Sequence, residues 1–328
     1  MYIILLFIVG GVFALGLGAD MIVRSSINLA NTYKISGYFV GFTVVALGTS
    51  LPELAATVQA LNVVDSVDIA LGNIIGSNVA NLLLILGVVS IINPITFSQE
   101  RGQKNQTLIV LVVTLIATAI FYFLSNNQNS NSIFLGVILV TIFFVFLFLQ
   151  YRMELITDQS NASNMPNYSQ FVSYLLLIIG LVFLYFGSKY FIIGSQKLAI
   201  SFNISETIIG LTLVAFGTSL PELATGIIAA LRKQSSLAVG TILGSNVYNI
   251  VGIFALILFM KSGEFPAGSG VLMTNIIIMT IITFLFVYKV RFGVKLLNIK
   301  AFQLTKNSGI LFLILYAIYT LYNYLKLN

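Results

Sequence analysis

The chain reads as an all-α integral membrane protein: ten transmembrane helices forming two inverted five-helix repeats, with helices broken near the centre. Three observations lead there. Of 328 residues, 58% are hydrophobic and only 8% charged, and the mean hydropathy is +1.02, whereas soluble domains carry roughly a quarter charged residues. Ten apolar stretches are each long enough to cross a bilayer, which takes about 20 residues. A pair of motifs then recurs in the second half at a nearly constant offset, the mark of internal repetition.

The spans fall at residues 2–23, 37–60, 70–92, 105–124, 133–151, 169–193, 206–230, 237–260, 269–288 and 308–325. The first, MYIILLFIVGGVFALGLGADMIV, lacks a basic leader and a small-residue cleavage site, so it is read as a retained span. The breaks are short: Ser125 to Ser132 is an Asn/Ser-rich loop, and residues 152–168 form a hydrophilic cytoplasmic linker between a first repeat, 1–151, and a second, 169–328.

Loop charge orients the chain. With the N-terminus outside, twelve of the sixteen Lys and Arg residues fall on the inner side, leaving Lys189, Lys197, Lys261 and Lys326. The positive-inside rule therefore places both termini outside. Lys189 is near enough to a span end to snorkel.

The chain has no Cys and no His. That excludes disulfides, thiolate zinc, His-ligated haem and nucleophile pairs built on either residue. No basic stretch carries interleaved recognition aromatics, so nucleic acid is not a partner. The expected partners are small cations and the lipid bilayer, with no obligatory protein partner and no cofactor.

At an offset of 169, GFTVVALGTSLPELA (Gly41 to Ala55) lies on GLTLVAFGTSLPELA (Gly210 to Ala224), with GTSLPELA unchanged; at 168, GNIIGSNVAN (Gly72 to Asn81) lies on GTILGSNVYN (Gly240 to Asn249). Five spans per half is an odd number, so the second half enters the membrane in the opposite sense. Inverted repeats are an architecture of secondary transporters, with the site near the midplane where the repeats meet.

Of ten acidic residues, only Glu53 and Glu222 lie deep in spans. An ionised group at a helix centre costs about 2.5–3.5 kcal/mol, so two equivalent carboxylates require a compensating cation or a proton. Each Glu follows a proline, which lacks an N–H and clashes with the carbonyl four residues earlier, Gly48 or Gly217. The helix is expected to break there. Freed carbonyls and the hydroxyls of Thr49, Ser50, Thr218 and Ser219 are hard oxygen ligands. In the second motif Ser77 with Asn81, and Ser245 with Asn249, share a helix face at a spacing of four. Asn73, Asn78 and Asn246 point elsewhere and read as interhelical hydrogen bonders. Gly72 with Gly76, and Gly240 with Gly244, read as close-packing pairs. Two carboxylates with amide, hydroxyl and carbonyl oxygens suit calcium, magnesium, manganese or sodium rather than zinc or copper.

These motifs resemble the two alpha-repeats of the cation/calcium exchanger superfamily, specifically the compact prokaryotic sodium/calcium exchangers. The resemblance covers essentially the whole chain. It implies a diamond of sites formed by the second, third, seventh and eighth spans, with ligands Glu53, Glu222, Thr49, Thr218, Ser50, Ser219, Ser77, Ser245, Asn81 and Asn249 and the backbone oxygens of Ala46 and Ala215. It also implies a sliding pair, the first and sixth spans, and calcium and sodium as transported ions. Asn249 departs from the Asp often found there, which puts potassium coupling in question, and the linker is too short for calcium-sensing domains. The expected activity is sodium-driven calcium antiport. Proton/calcium or other divalent cation antiport is the alternative, and a passive channel is disfavoured by broken inverted repeats. An intramembrane protease would need a membrane-embedded Asp pair, a Ser-base pair or a zinc site, which this composition does not supply.

Overall fold

The computed structural model describes residues 2–63, 65–97, 101–126, 132–154, 168–202, 215–261, 270–292 and 303–327. The expected start of the seventh span, at 206–214, most of the linker, and the tip of the Asn/Ser-rich loop lie outside them. Among the described residues ten helical units follow in order: α1 (Tyr2–Tyr33), α2 (Gly37–Asn62), α3 (Val67–Ile92), α4 (Arg101–Asn126), α5 (Ser132–Glu154), α6 (Gln170–Ser201), α7 in two pieces (Ala215–Thr218 and Leu220–Leu231), α8 (Ser235–Met260), α9 (Gly270–Phe292) and α10 (Lys306–Leu327). Among the described residues, nine helices are long and apolar enough to cross a membrane.

Burial sorts them. Most of α3 and α8 is buried, 78% and 83% of their most apolar stretch, against 22% for α1 and 17% for α10. The protein is thus built around α3 and α8, while α1, α5 and α10 expose apolar faces such as Phe13, Phe134, Phe148 and Ile314. Such surface belongs in lipid, and with these spans the chain is an integral, multi-pass membrane protein.

α1 and α6 each run 32 residues, about 48 Å at 1.5 Å per residue. A bilayer core is about 30 Å thick, so both must tilt or project. They pack on each other through glycine: a Cβ on Gly18 would lie 2.7 Å from the Gly180 carbonyl oxygen, and one on Gly11 would lie 2.8 Å from that of Gly187.

The contacts between loops respect the alternation of sides read from charge. A two-stranded antiparallel ribbon pairs β1 (Ile95–Thr96) with β2 (Gln303–Leu304), Asn93 donates to Ser235 at 2.8 Å, and Asp20 pairs with Arg24 and Arg232. All belong to the side expected to be inner. On the opposite side Lys261 pairs with Asp65.

Candidate functional site

The proline breaks fall where the sequence places them. Ser50 (φ −80°, ψ 2°) and Ser219 (φ −87°, ψ 6°) leave helical geometry, and Pro52 and Pro221 open the helices that follow. Glu53 and Glu222 then sit in the first turn of those helices, where exposed N–H groups favour a carboxylate. The Gly217 carbonyl released by Pro221 accepts from the Ser188 hydroxyl of α6 at 2.7 Å, so one of its lone pairs is already used. The break also differs from expectation in extent: α2, α3 and α8 each contain a π-helical turn, at Gly41–Val45, Asn81–Ile85 and Tyr248–Ile253. Such turns occur often at functional sites, and two of them include or directly follow a motif asparagine.

The four motif segments converge in a fully buried cluster. Glu53, Ser77, Asn81, Glu222, Ser245 and Asn249 are all 0% exposed. Ser50 Oγ donates to Ser245 Oγ at 2.9 Å and reaches Glu222 Oε1 at 3.5 Å. In the mirror arrangement Ser219 Oγ donates to Ser77 Oγ at 3.1 Å and to Glu53 Oε1 at 3.3 Å. Ser245 Oγ also donates to Glu222 Oε1 at 3.2 Å. Each carboxylate is therefore served by a hydroxyl from the opposite half.

The threonines part from this symmetry. Thr49 Oγ1 donates to the Ala46 carbonyl at 3.3 Å, whereas Thr218 Oγ1 donates to Asn73 Oδ1 at 3.2 Å. Asn73 in turn donates to the Glu53 carbonyl at 3.3 Å. Thr241 stands at the mirror position of Asn73 and, among the described residues, bonds only within its own helix, to the Leu237 carbonyl at 3.0 Å. The Ala46 carbonyl also accepts from Ser50 N at 3.0 Å. Ala215 opens the first described piece of α7.

What remains after these bonds is informative. Glu53 Oε2, Glu222 Oε2, Asn81 Oδ1 and Asn249 Oδ1 are buried with no hydrogen-bond partner among the described residues. All four are acceptors, and an unsatisfied buried acceptor is costly, a charged one more so. Buried acceptors of this kind, with hydroxyls and carbonyls nearby, are the oxygen ligands a hard cation prefers.

Asn78 and Asn246, expected as interhelical hydrogen bonders, do bond between helices. Asn81 Nδ2 donates to Asn246 Oδ1 at 2.8 Å, and Asn249 Nδ2 to Asn78 Oδ1 at 3.1 Å. The signal was present, since both stand at the same place in the doubled GSN motif. Close packing holds at Gly240 and Gly244, where a Cβ would lie 2.2 Å from the Tyr38 carbonyl oxygen and 2.4 Å from that of Phe42. At Gly72 and Gly76 no described atom comes within 4 Å of an added Cβ; the mirror of the α2 turn, near residue 207, lies outside the described residues.

A buried oxygen cage inside a two-fold repeated helical membrane protein defines a cation transporter, not an enzyme. The sodium/calcium exchanger protein family matches residues 3–152 and 172–325, and the chain belongs to it. It is 35% identical over 315 residues to an uncharacterised membrane protein of Methanocaldococcus jannaschii, covering 94% of this chain and 95% of that one. It is 29% identical over 280 residues to the sodium/calcium exchanger MaX1 of Methanosarcina acetivorans, covering 73% and 78%. A solved structure of the sodium-calcium exchanger NCX_Mj, soaked with zero sodium and calcium, superposes with a TM-score of 0.80 at 30% identity, covering 97% of each chain.

Proposed function

We propose that this chain is a sodium-driven calcium antiporter that works electrogenically by alternating access. The observation carrying the proposal is the set of four partnerless, buried acceptor oxygens on Glu53, Glu222, Asn81 and Asn249. Two carboxylates balance one calcium ion, and Thr49, Ser50, Ser77, Thr218, Ser219 and Ser245, with the Ala46 and Ala215 carbonyls, supply neutral oxygens. The relatives MaX1 and NCX_Mj are sodium/calcium exchangers by name, which supports the choice of ions.

The resemblance implies three sodium ions in overlapping sites, so a cycle moves one net charge. α1 and α6, packed on each other through glycine, are the pair that slides, and the halves 1–151 and 169–328 act as inverted repeats joined by the 152–168 linker. Charge asymmetry of the loops supports both termini outside a prokaryotic cell membrane.

Calcium-45 uptake into sodium-loaded proteoliposomes tests this. Three sodium ions leaving for each calcium ion entering carry one positive charge out, so a valinomycin-set inside-positive potential should speed uptake. Uptake indifferent to the potential would indicate electroneutral coupling. Uptake that follows an imposed proton gradient without sodium would instead establish the proton/calcium reading.

A further inference from the structure

The two ends of an asparagine amide have the same shape, and only hydrogen bonds tell them apart. A backbone carbonyl can only accept. The Asn78 carbonyl therefore decides which end of the Asn246 amide faces it, and Asn246 Nδ2 donates there at 3.3 Å. Asn246 Oδ1 is thereby turned toward Asn81 and accepts from Asn81 Nδ2 at 2.8 Å. The other hydrogen of that Nδ2 meets Ser245 Oγ at 3.2 Å. Both donors of Asn81 are now used, and its Oδ1 is left buried without a partner.

The mirror amide is held from the same residue, since Asn249 Nδ2 donates to Asn78 Oδ1 at 3.1 Å and leaves Asn249 Oδ1 partnerless. That arm is looser: among the described residues Asn78 Nδ2 has only the Met279 sulfur at 3.7 Å, a weak acceptor. The Asn78–Asn246–Asn81 arm is fixed at its root by the main chain. Asn78 and Asn246 are 1% exposed, so water does not compete for these bonds.

We infer that Asn246, anchored on the Asn78 carbonyl, is a positioning residue that holds the Asn81 amide with its oxygen toward the transported cation. Without it the Asn81 amide keeps only the Ser245 Oγ bond at 3.2 Å and turns over more readily to present an NH2 group, which repels a cation. Asn246 touches no ion; it acts through Asn81. The inference rests on the ion-site reading above, and its test separates the two.

The test is a double-mutant cycle on the purified full-length protein in proteoliposomes, reading KM for calcium and maximal rate apart. Asn246→Ala, and Asn246→Leu of similar volume, should each raise KM for calcium by up to about ten-fold, the loss expected for the neutral hydrogen bond that orients Asn81. In an Asn81→Ser background, where a hydroxyl needs no orienting, Asn246→Ala should change KM less than about two-fold, because the group it orients is gone. An unchanged KM in the single variants overturns the inference. So does an equal rise in both backgrounds, which marks a role in packing alone. If neither variant folds, Asn246 serves the α3–α8 contact rather than the amide, and the inference fails. Glu53→Gln, run alongside, reports on the ion site by itself. Were wild type to show no sodium-dependent uptake, the functional reading would fail, and calcium-dependent thermal stabilisation in detergent would still carry the cycle.

Discussion

Ser219 Oγ lies 3.3 Å from Glu53 Oε1, a residue of the other half of the chain. Its counterpart Ser50 lies 3.5 Å from Glu222 Oε1. The two halves must be assembled before either carboxylate has its hydroxyl partner from the opposite half, although Glu222 also keeps Ser245 of its own half at 3.2 Å. The reciprocity also explains why the GTSLPE block is retained unchanged in both copies. The Ser and the Glu of one copy face different partners, and each is needed by the opposite half.

From this exchange Ser50→Ala and Ser219→Ala should weaken calcium binding by similar amounts. A hydrogen bond to a charged group contributes about 1.5–3 kcal/mol, which is ten-fold or more in KM. The check is calcium KM in proteoliposomes for both variants. If one is silent while the other is severe, the pseudo-symmetry of the site is structural but not functional.

Glu53→Gln and Glu222→Gln should each abolish calcium exchange while leaving the fold intact. The amide keeps the Oε1 contact to its serine but converts the partnerless Oε2 into a donor facing the place a cation would occupy. Removing a buried charge that lacks a counter-ion does not destabilise the ion-free protein, and it can stabilise it. Melting without ions should therefore match or exceed wild type, and the stabilisation that calcium confers by mass action should vanish. Exchange at wild-type rates in either variant would falsify the site.

Gly244→Ala should cost both stability and transport. Its Cβ would lie 2.4 Å from the Phe42 carbonyl oxygen and 2.7 Å from the Ala46 Cβ, both on α2 beside the break. Backbone cannot yield there without moving α2 and α8 apart, and α8 carries Ser245 and Asn249. Gly10→Ala is the control, since no atom comes within 4 Å of its added Cβ. Thermal melts and flux on both variants read this, with only Gly244→Ala expected to fall.

Much of this was written in the sequence because the protein says it twice. Glu53 and Glu222 stood out as the only acids deep in spans, and the repeated Pro located the helix breaks to the residue. Ser77 and Ser245 were paired with Asn81 and Asn249 by periodicity, since four residues along a helix is one face, while Ser50 and Ser219 were marked by their place beside the proline. What escaped was of another kind. The π-helical turns at Asn81–Ile85 and Tyr248–Ile253 shift the helical phase by one residue and leave no compositional mark. Asn78 and Asn246 are the interhelical hydrogen bonders their position suggests, but nothing in their spacing says that their partners are Asn249 and Asn81. The Ser188 bond to the Gly217 carbonyl was also out of reach, since it depends on how α6 crosses α7, which local pattern does not encode.

The last prediction concerns Asn249, where this chain carries an amide and related exchangers often carry an acid. Asn249 Nδ2 donates to Asn78 Oδ1 at 3.1 Å, a bond that a carboxylate at 249 cannot make. In Asn249→Asp the Asn78 amide must turn over so that its Nδ2 reaches the new carboxylate. That is inexpensive, because the Nδ2 now faces only the Met279 sulfur at 3.7 Å. The larger consequence is charge, since a third carboxylate would join Glu53 and Glu222 in a fully buried cluster. One calcium ion balances only two, so transport by the variant should require a further monovalent cation, potassium or a proton, to offset the third. Sodium-dependent calcium-45 uptake across pH 6 to 8, with and without potassium, should therefore be flatter in wild type than in Asn249→Asp. Coincident profiles would mean that position 249 does not face the ions, and that the partnerless Asn249 Oδ1 points to some other feature of the interior.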